Sequence, residues 1–181
     1  MQIQGGVSLV EPTEALRAPY LAFYEEWKAS GEPFVPWVTE MDPADFAGMV
    51  RSLREYASGV DIPDGWVSSS TFWLVTADKR VVGAVNIRHR LTDRLLHSGG
   101  HIGYGIVPSA RRQGYASELL KQALHKAGEL GIEQALVVCD AANTASERTI
   151  RRNGGIEDKE TIEADGNVIR RFWIRTPSNI K

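Results

Sequence analysis

Between His101 and Cys139 the chain reads as strand, turn, helix and strand, and this unit limits the folds open to it. His101–Val107 alternates apolar residues with small or polar ones and stops at Pro108. From Gly114 a helical pattern takes over, with Leu119, Leu120, Ala123, Leu124, Ala127 and Leu130 on one face and Gly131 closing the end. Gln134–Cys139 then reads as a short buried strand. Two strands joined through a helix suit a parallel pair in one sheet, because a hairpin turn cannot carry the chain back to the same end. The unit therefore predicts a parallel pair inside an α/β sheet.

The remaining elements extend that reading. Val7–Val10 is a short first strand closed by Glu11-Pro12. Leu16, Tyr20, Phe23 and Trp27 recur at helical spacing from Thr13 towards Gly31. The prolines of Glu32–Trp37 disfavour helix there. Asp42-Pro43 reads as the cap and first residue of a second helix, carried by Phe46, Met49, Val50 and Leu53. Thr71–Thr76 and Val81–Arg90 form a predicted hairpin. Leu91–Gly100 is a polar loop. Thr144–Glu147 reads as a capping box for a last helix ending at Asn153-Gly154-Gly155. Ile156–Glu163 and Val168–Arg175 are strands joined across Asp165-Gly166-Asn167. The order is β, α, α, β, β, β, α, β, α, β, β, a mixed and mostly antiparallel α/β sheet flanked by helices.

Composition narrows the function classes. At 181 residues with 43% hydrophobic residues, one domain spanning 1–181 can bury a core. A net charge of −2 supplies no overall basic field for nucleic acid or an anionic membrane. The lone cysteine, Cys139, excludes an internal disulfide and a Cys-rich metal site. Met1–Gly6 lacks the basic and apolar regions of a signal peptide, and no stretch approaches ~18 apolar residues. The expectation is a soluble, cytoplasmic protein without metal, nucleic acid or membrane partners. The final strand, read as exposed, offers an edge for pairing in a homodimer.

The turn entering the central helix carries the chemistry. It reads Arg111-Arg112-Gln113-Gly114-Tyr115-Ala116 after Val107-Pro108. The first N–H groups of a helix lack internal partners and sit at the positive end of its dipole, which suits an anion. Gly114 and Ala116 allow close backbone approach, and Arg111 and Arg112 add charge matched to phosphate oxygens. A solvated basic turn is the bland alternative; the fixed order of strand, turn, small residues and amphipathic helix favours a phosphate site. A P-loop lysine and the spaced glycines of a dinucleotide fingerprint are both lacking.

The segment Arg111-Arg112-Gln113-Gly114-Tyr115-Ala116 resembles motif A of the GNAT superfamily of N-acetyltransferases, [Gln/Arg]-x-x-Gly-x-[Gly/Ala]. The element order is similar to that family from about Val7 to Arg175, and the strand and helix around Asn143 and Asn153-Gly154-Gly155 resemble its next motif. Ser70–Val75, Gly83–Arg90 and Gly99–Ile106 resemble a bacterial subgroup of predicted acetyltransferases. The resemblance implies acetyl-CoA as acyl donor and a small-molecule or peptide primary amine as acceptor, joined by direct attack. It implies a splayed parallel strand pair at the cofactor site. The backbones of Ile106 and Val107 would meet pantetheine, and the N–H groups from Gln113 through Gly114, Tyr115 and Ala116 to Ser117 would surround the pyrophosphate. Asn143 would approach the pantetheine or acyl end, with a cap beside Thr144 as its structural alternative, and Ser146 stands near the same end.

Catalytic residues transfer less completely. An alkylamine with a pKa near ~10.4 needs deprotonation before it attacks. Many family members place a glutamate at the start of the strand before motif A; His101 stands there, with a strand-edge structural histidine as the alternative. His89 and His97 are weaker candidates. The family's acid is often a tyrosine in the helix after Asn143, and Ile150 occupies that position. Tyr104, Ser146 and Cys139 are the substitutes, although strand alternation puts Tyr104 on the face opposite His101. Asn86 and Arg88 share a strand face that suits a polar or carboxylate-bearing acceptor, or is simply solvated. Trp27, Trp37, Trp66 and Trp73 are candidates for its walls or for core. The missing tyrosine keeps open a second class, an acyl-CoA-binding regulatory module without turnover.

Overall fold

The computed structural model describes residues 6–177; residues 1–5, read above for a leader segment, lie outside them. Among the described residues, seven strands and four α-helices follow the expected order. They are β1 (Val7–Val10), α1 (Arg17–Ser30), α2 (Phe46–Ser58), β2 (Ser69–Thr76), β3 (Val81–Arg88), β4 (Ile102–Ile106), α3 (Tyr115–Glu129), β5 (Gln134–Asp140), α4 (Thr144–Arg152), β6 (Ile156–Ile162) and β7 (Val168–Arg175).

The strands form two antiparallel sheets, β1-β2-β3-β4 and β5-β7-β6. The mixed α/β architecture of mostly antiparallel strands flanked by helices is as expected, but the one sheet expected is two. β4 and β5 share no ladder; they meet where His101 N–H donates to Leu136 O at 2.7 Å, just before β4 begins. Beyond that contact β4 keeps an unpaired edge. The last strand is also corrected: β7 lies between β5 and β6, so β6 is the edge. A central position lets β7 bury Phe172 and Ile174, whereas Ile156 and Ile162 of β6 are exposed.

β2 and β3 are buried along almost their whole length, because helices cover both faces. On one face Tyr20 of α1 and Phe46 of α2 pack on Trp73, with the Tyr20 and Trp73 rings 4.3 Å apart, and Phe23 and Trp27 of α1 continue the buried cluster from Tyr20. Trp73 lies opposite Ala84, so a large side chain sits across from a small one. On the other face α3 lays down Leu119, Leu120 and Ala123, all fully buried. Gln122 of α3 also stitches β1, accepting from Leu9 N–H at 2.9 Å and donating to Val7 O at 3.0 Å.

Two helix starts differ from expectation. Asp45, not Asp42, caps α2 by accepting from Gly48 N–H at 3.0 Å, while Asp42 closes a local turn on Ala44 N–H. Asn143 caps α4 by accepting from Ser146 N–H at 3.1 Å, so the capping residue precedes Thr144 by one. In both cases neighbouring residues of similar capping chemistry compete for the first helical N–H groups.

Candidate active site

At the turn after β4, Gly114 begins α3 with φ 87°, a left-handed conformation that a side chain makes costly. No side chain caps α3, and the first backbone bond into the helix comes from Glu118 N–H to Gly114 O. The N–H groups of Tyr115, Ala116 and Ser117 therefore point out of the helix start without helical partners. Arg112 precedes them, exposed and also left-handed, with φ 62°.

The turn is held from behind. Glu26 of α1 accepts from Ser109 N–H at 2.8 Å and pairs with Arg80. Gln113 donates to Ser109 O, and Asn153, just after α4, donates to Ser117 O at 3.2 Å. Arg111 is placed differently from Arg112. Its guanidinium grips both carboxylate oxygens of Glu32 and donates from Nε to Ile106 O at 3.0 Å. It thus ties the turn to the end of β4, and its contact with Glu32 holds that carboxyl below the usual range. Arg112 makes no ion pair among the described residues.

The unpaired edge of β4 leads away from this turn. Gly83 lies opposite Ile106, and Val107 N–H donates to Val82 O at 3.0 Å. Antiparallel alternation then turns the N–H groups of Ile106 and Tyr104 outward, while that of Val107 is committed to β3. Gly105 is required beside them, since a Cβ there would collide with Val35 O and stand 2.6 Å from the Trp27 ring. That close approach packs the proline-rich segment after α1 against β4.

Where this edge faces α4, three polar side chains meet. The Tyr104 hydroxyl lies 3.0 Å from Ser146 Oγ, and the Cys139 thiol sits beside the same serine. Burial pushes the Tyr104 phenol up to about 12 and the Cys139 thiol up to about 11, so both stay protonated at neutral pH. Ile150 is fully buried. The carboxamide oxygen of Asn143 is occupied by its cap.

His101 is not brought to this cluster. It is 7% exposed, its Nδ1 accepts from Leu136 N–H at 2.9 Å, and its ring packs edge-on to Trp173. Burial, with help from Arg88, pushes its pKa down to about 4. The neutral ring therefore carries its proton on Nε2, and backbone and ring together staple the two sheets. His89 bonds Ser70 Oγ at 2.8 Å and His97 bonds Ile162 O at 3.2 Å.

On the α1/α2 face, Asn86 and Arg88 line a cavity of about 160 Å³ with Trp37, Trp66, Ser69 and Arg94. Asn86 is fully buried; its Nδ2 donates to Ser69 Oγ and Thr71 Oγ1 at 3.0 and 3.1 Å, and its Oδ1 has no partner. Arg88 donates from one nitrogen to Gly99 O and Gly100 O. Trp37 and Trp66 touch, 4.4 Å between rings, whereas Trp27 and Trp73 are core. The sequence reading missed Ser69, Trp66's pairing with Trp37, and Arg94 as members of this cavity. One signal was legible: Ser69-Ser70-Thr71 interrupts an apolar strand opposite Asn86, the one polar residue between Val81 and Ile87.

An acetyltransferase (GNAT) domain model matches residues 7–156, which include the uncapped helix start and the open strand edge. The chain belongs to the GNAT acetyltransferase family. No curated protein sequence matches it. Among solved structures, this GNAT chain is similar to a ribosomal L7/L12 alpha-N-protein acetyltransferase, RimL, in complex with coenzyme A. That pair has 15% identity and a TM-score of 0.69, covering 97% of each chain. It is also similar to spermidine N-acetyltransferase SpeG from Vibrio cholerae, with 16% identity, a TM-score of 0.61 and 94% of each chain covered. A third is the microcin C7 self-immunity acetyltransferase MccE in complex with acetyl-CoA and AMP. Identity there is 11% and the TM-score 0.64, over 97% of this chain and 95% of that one. At these identities the likeness concerns the GNAT fold. Among the described residues no helix is long and apolar enough to cross a membrane, and no cluster of ligating side chains could hold a metal ion.

Proposed function

We propose that the protein transfers an acetyl group from acetyl-CoA to a primary amine by direct attack. The observation that carries this reading is the uncapped start of α3, set at the end of a strand with an open edge. Tyr115, Ala116 and Ser117 N–H, with Gly114 and Arg112, fit a pyrophosphate. Arg111 acts from behind, holding the turn through Glu32 and Ile106 O. The outward N–H groups of β4 fit the amides of a pantetheine arm. The donor supplies the thioester, and the Ile106 N–H faces the oxygen on which negative charge develops.

In this reading Tyr104 serves the sulfur. A phenol pushed up to about 12 holds its proton more tightly than a thiol near ~8.5. It therefore stabilises the leaving thiolate as a hydrogen-bond donor, with Ser146 orienting it. His101 positions β4 and is no base, since its Nδ1 lone pair is taken. Activation of the amine falls to the cavity itself. The guanidinium groups of Arg88 and Arg94 disfavour a nearby ammonium and so raise the neutral, nucleophilic fraction. The proton lost from the amine ends on the departing thiolate.

The test is thiol release from acetyl-CoA with a broad panel of primary amines. Release that depends on the amine, with an acetylated product of matching mass, is the expected outcome. Tight binding of coenzyme A without release across the panel would instead favour the regulatory module that Ile150 leaves open.

A further inference from the structure

The cavity on the α1/α2 face has a chemical character of its own. It holds two arginines and no aspartate or glutamate, and neither arginine makes an ion pair among the described residues. Burial, and then the charge of Arg94 without a counterion between them, push the Arg88 guanidinium down to about 10, so an anion here would be favoured by both groups. Arg88 also turns back over β4: a Cβ on Gly103 would lie 3.6 Å from its outer nitrogen. Gly103 is the residue directly opposite Asn86. Asn86 and Arg88, two residues apart on one face of β3, therefore both lie beside Gly103 of β4. There the Oδ1 of Asn86, fully buried and unpartnered, is an acceptor awaiting an N–H. An unmet buried acceptor costs stability unless a ligand satisfies it.

We propose that this cavity binds the acceptor, and that the acceptor is an amino-acid-type molecule carrying a carboxylate close to its amine. Arg88 and Arg94 take the carboxylate, Asn86 Oδ1 accepts an amine N–H, and Trp37 and Trp66 form an apolar wall for the side chain. Asn86 and Arg88 stand two residues apart on one face of β3, so the carboxylate and the amine they hold must lie close together. At about 160 Å³ the space is well below the ~300–1,000 Å³ of drug-sized sites, which fits one small head group. The same charges reject polyamines, whose every end is cationic. The inference rests on the acyltransferase reading for the fate of the amine, but not for the binding of the carboxylate.

Two measurements keep those apart. The first is thiol release from acetyl-CoA with the common amino acids, with phenethylamine and phenylalaninamide as the carboxylate-free counterparts of phenylalanine, and with spermidine. The second is quenching of Trp66 emission by the same compounds in the presence of coenzyme A, assigned with a Trp66→Phe variant. Amino acids should be preferred over their carboxylate-free counterparts by about tenfold or more, the worth of a charge-assisted contact. Arg94→Gln, at an exposed position that leaves the fold alone, should raise the KM of the preferred amino acid by about tenfold. Arg88→Met should do the same. Phenethylamine or spermidine turned over as well as the amino acids would overturn the carboxylate site and leave acetyl transfer standing. Quenching by amino acids that weakens in Arg94→Gln, without any thiol release, would keep the site and overturn the transferase reading. Neither quenching nor turnover with any amino acid at millimolar concentration would overturn the proposal outright.

Discussion

His101 separates a structural role from a catalytic one through the pH dependence of stability. Its ring is neutral in the folded protein, with the pKa pushed from an ordinary 6.5 down to about 4, first by burial and then by Arg88. Below 6.5 the unfolded chain takes up a proton that the folded chain refuses. Stability is thus fully present above that pH and falls as the pH drops towards 4. At about pH 5 the difference in proton uptake is worth about 2 kcal/mol, since each tenfold difference in proton affinity corresponds to about 1.36 kcal/mol. His101→Asn is the matching perturbation. Its Oδ1 takes the place of Nδ1 and still accepts Leu136 N–H, but it does not titrate. Urea unfolding of both proteins at about pH 7.5 and at about pH 5 isolates this group, because the carboxylates are common to both. The native protein should lose about 2 kcal/mol more than the variant over that interval. Equal losses would refute the reasoning. They would mean that the folded ring titrates normally, with a nitrogen free for proton transfer.

Three further outcomes follow from the site and its support. Gly114→Val forces a β-branched residue into φ 87° at the start of α3 and crowds the helix N–H groups; coenzyme A affinity by calorimetry should fall by about tenfold or more. Tyr104→Phe removes one hydrogen bond to a developing thiolate, about 1.5–3 kcal/mol. Turnover should therefore drop about ten- to a hundredfold while coenzyme A affinity holds. Leu119→Ala, at a fully buried position where α3 meets β3, should cost about 2–5 kcal/mol in urea unfolding without changing how tightly Arg111 holds Glu32.

The turn that opens α3 was legible because its determinants are local. Val107-Pro108, Gly114 and the Leu119–Leu130 stripe lie within one continuous stretch, and each states its conformation by residue type. Helical spacing identified the face of α3 in the same way, and apolar runs identified β2 and β3. Arg111 was readable as a cation near the turn. That its guanidinium faces Glu32 was not, because Glu32 comes 79 residues earlier and nothing local links the two.

The sequence by itself thus determined the order of strands and helices, the small-residue turn that opens α3 and the absence of the family's tyrosine at Ile150. Side-chain period and turn chemistry act between neighbours, and neighbours are what a sequence lists. The tertiary structure alone decided that β4 and β5 part after a single backbone bond, that β7 is central, and that His101 staples the sheets. It also decided that Asn86, Arg88 and Arg94 close round one cavity beside Trp37 and Trp66. Those contacts join residues far apart in the chain. They depend on register and on which face each helix covers, and both are settled only when the whole core packs.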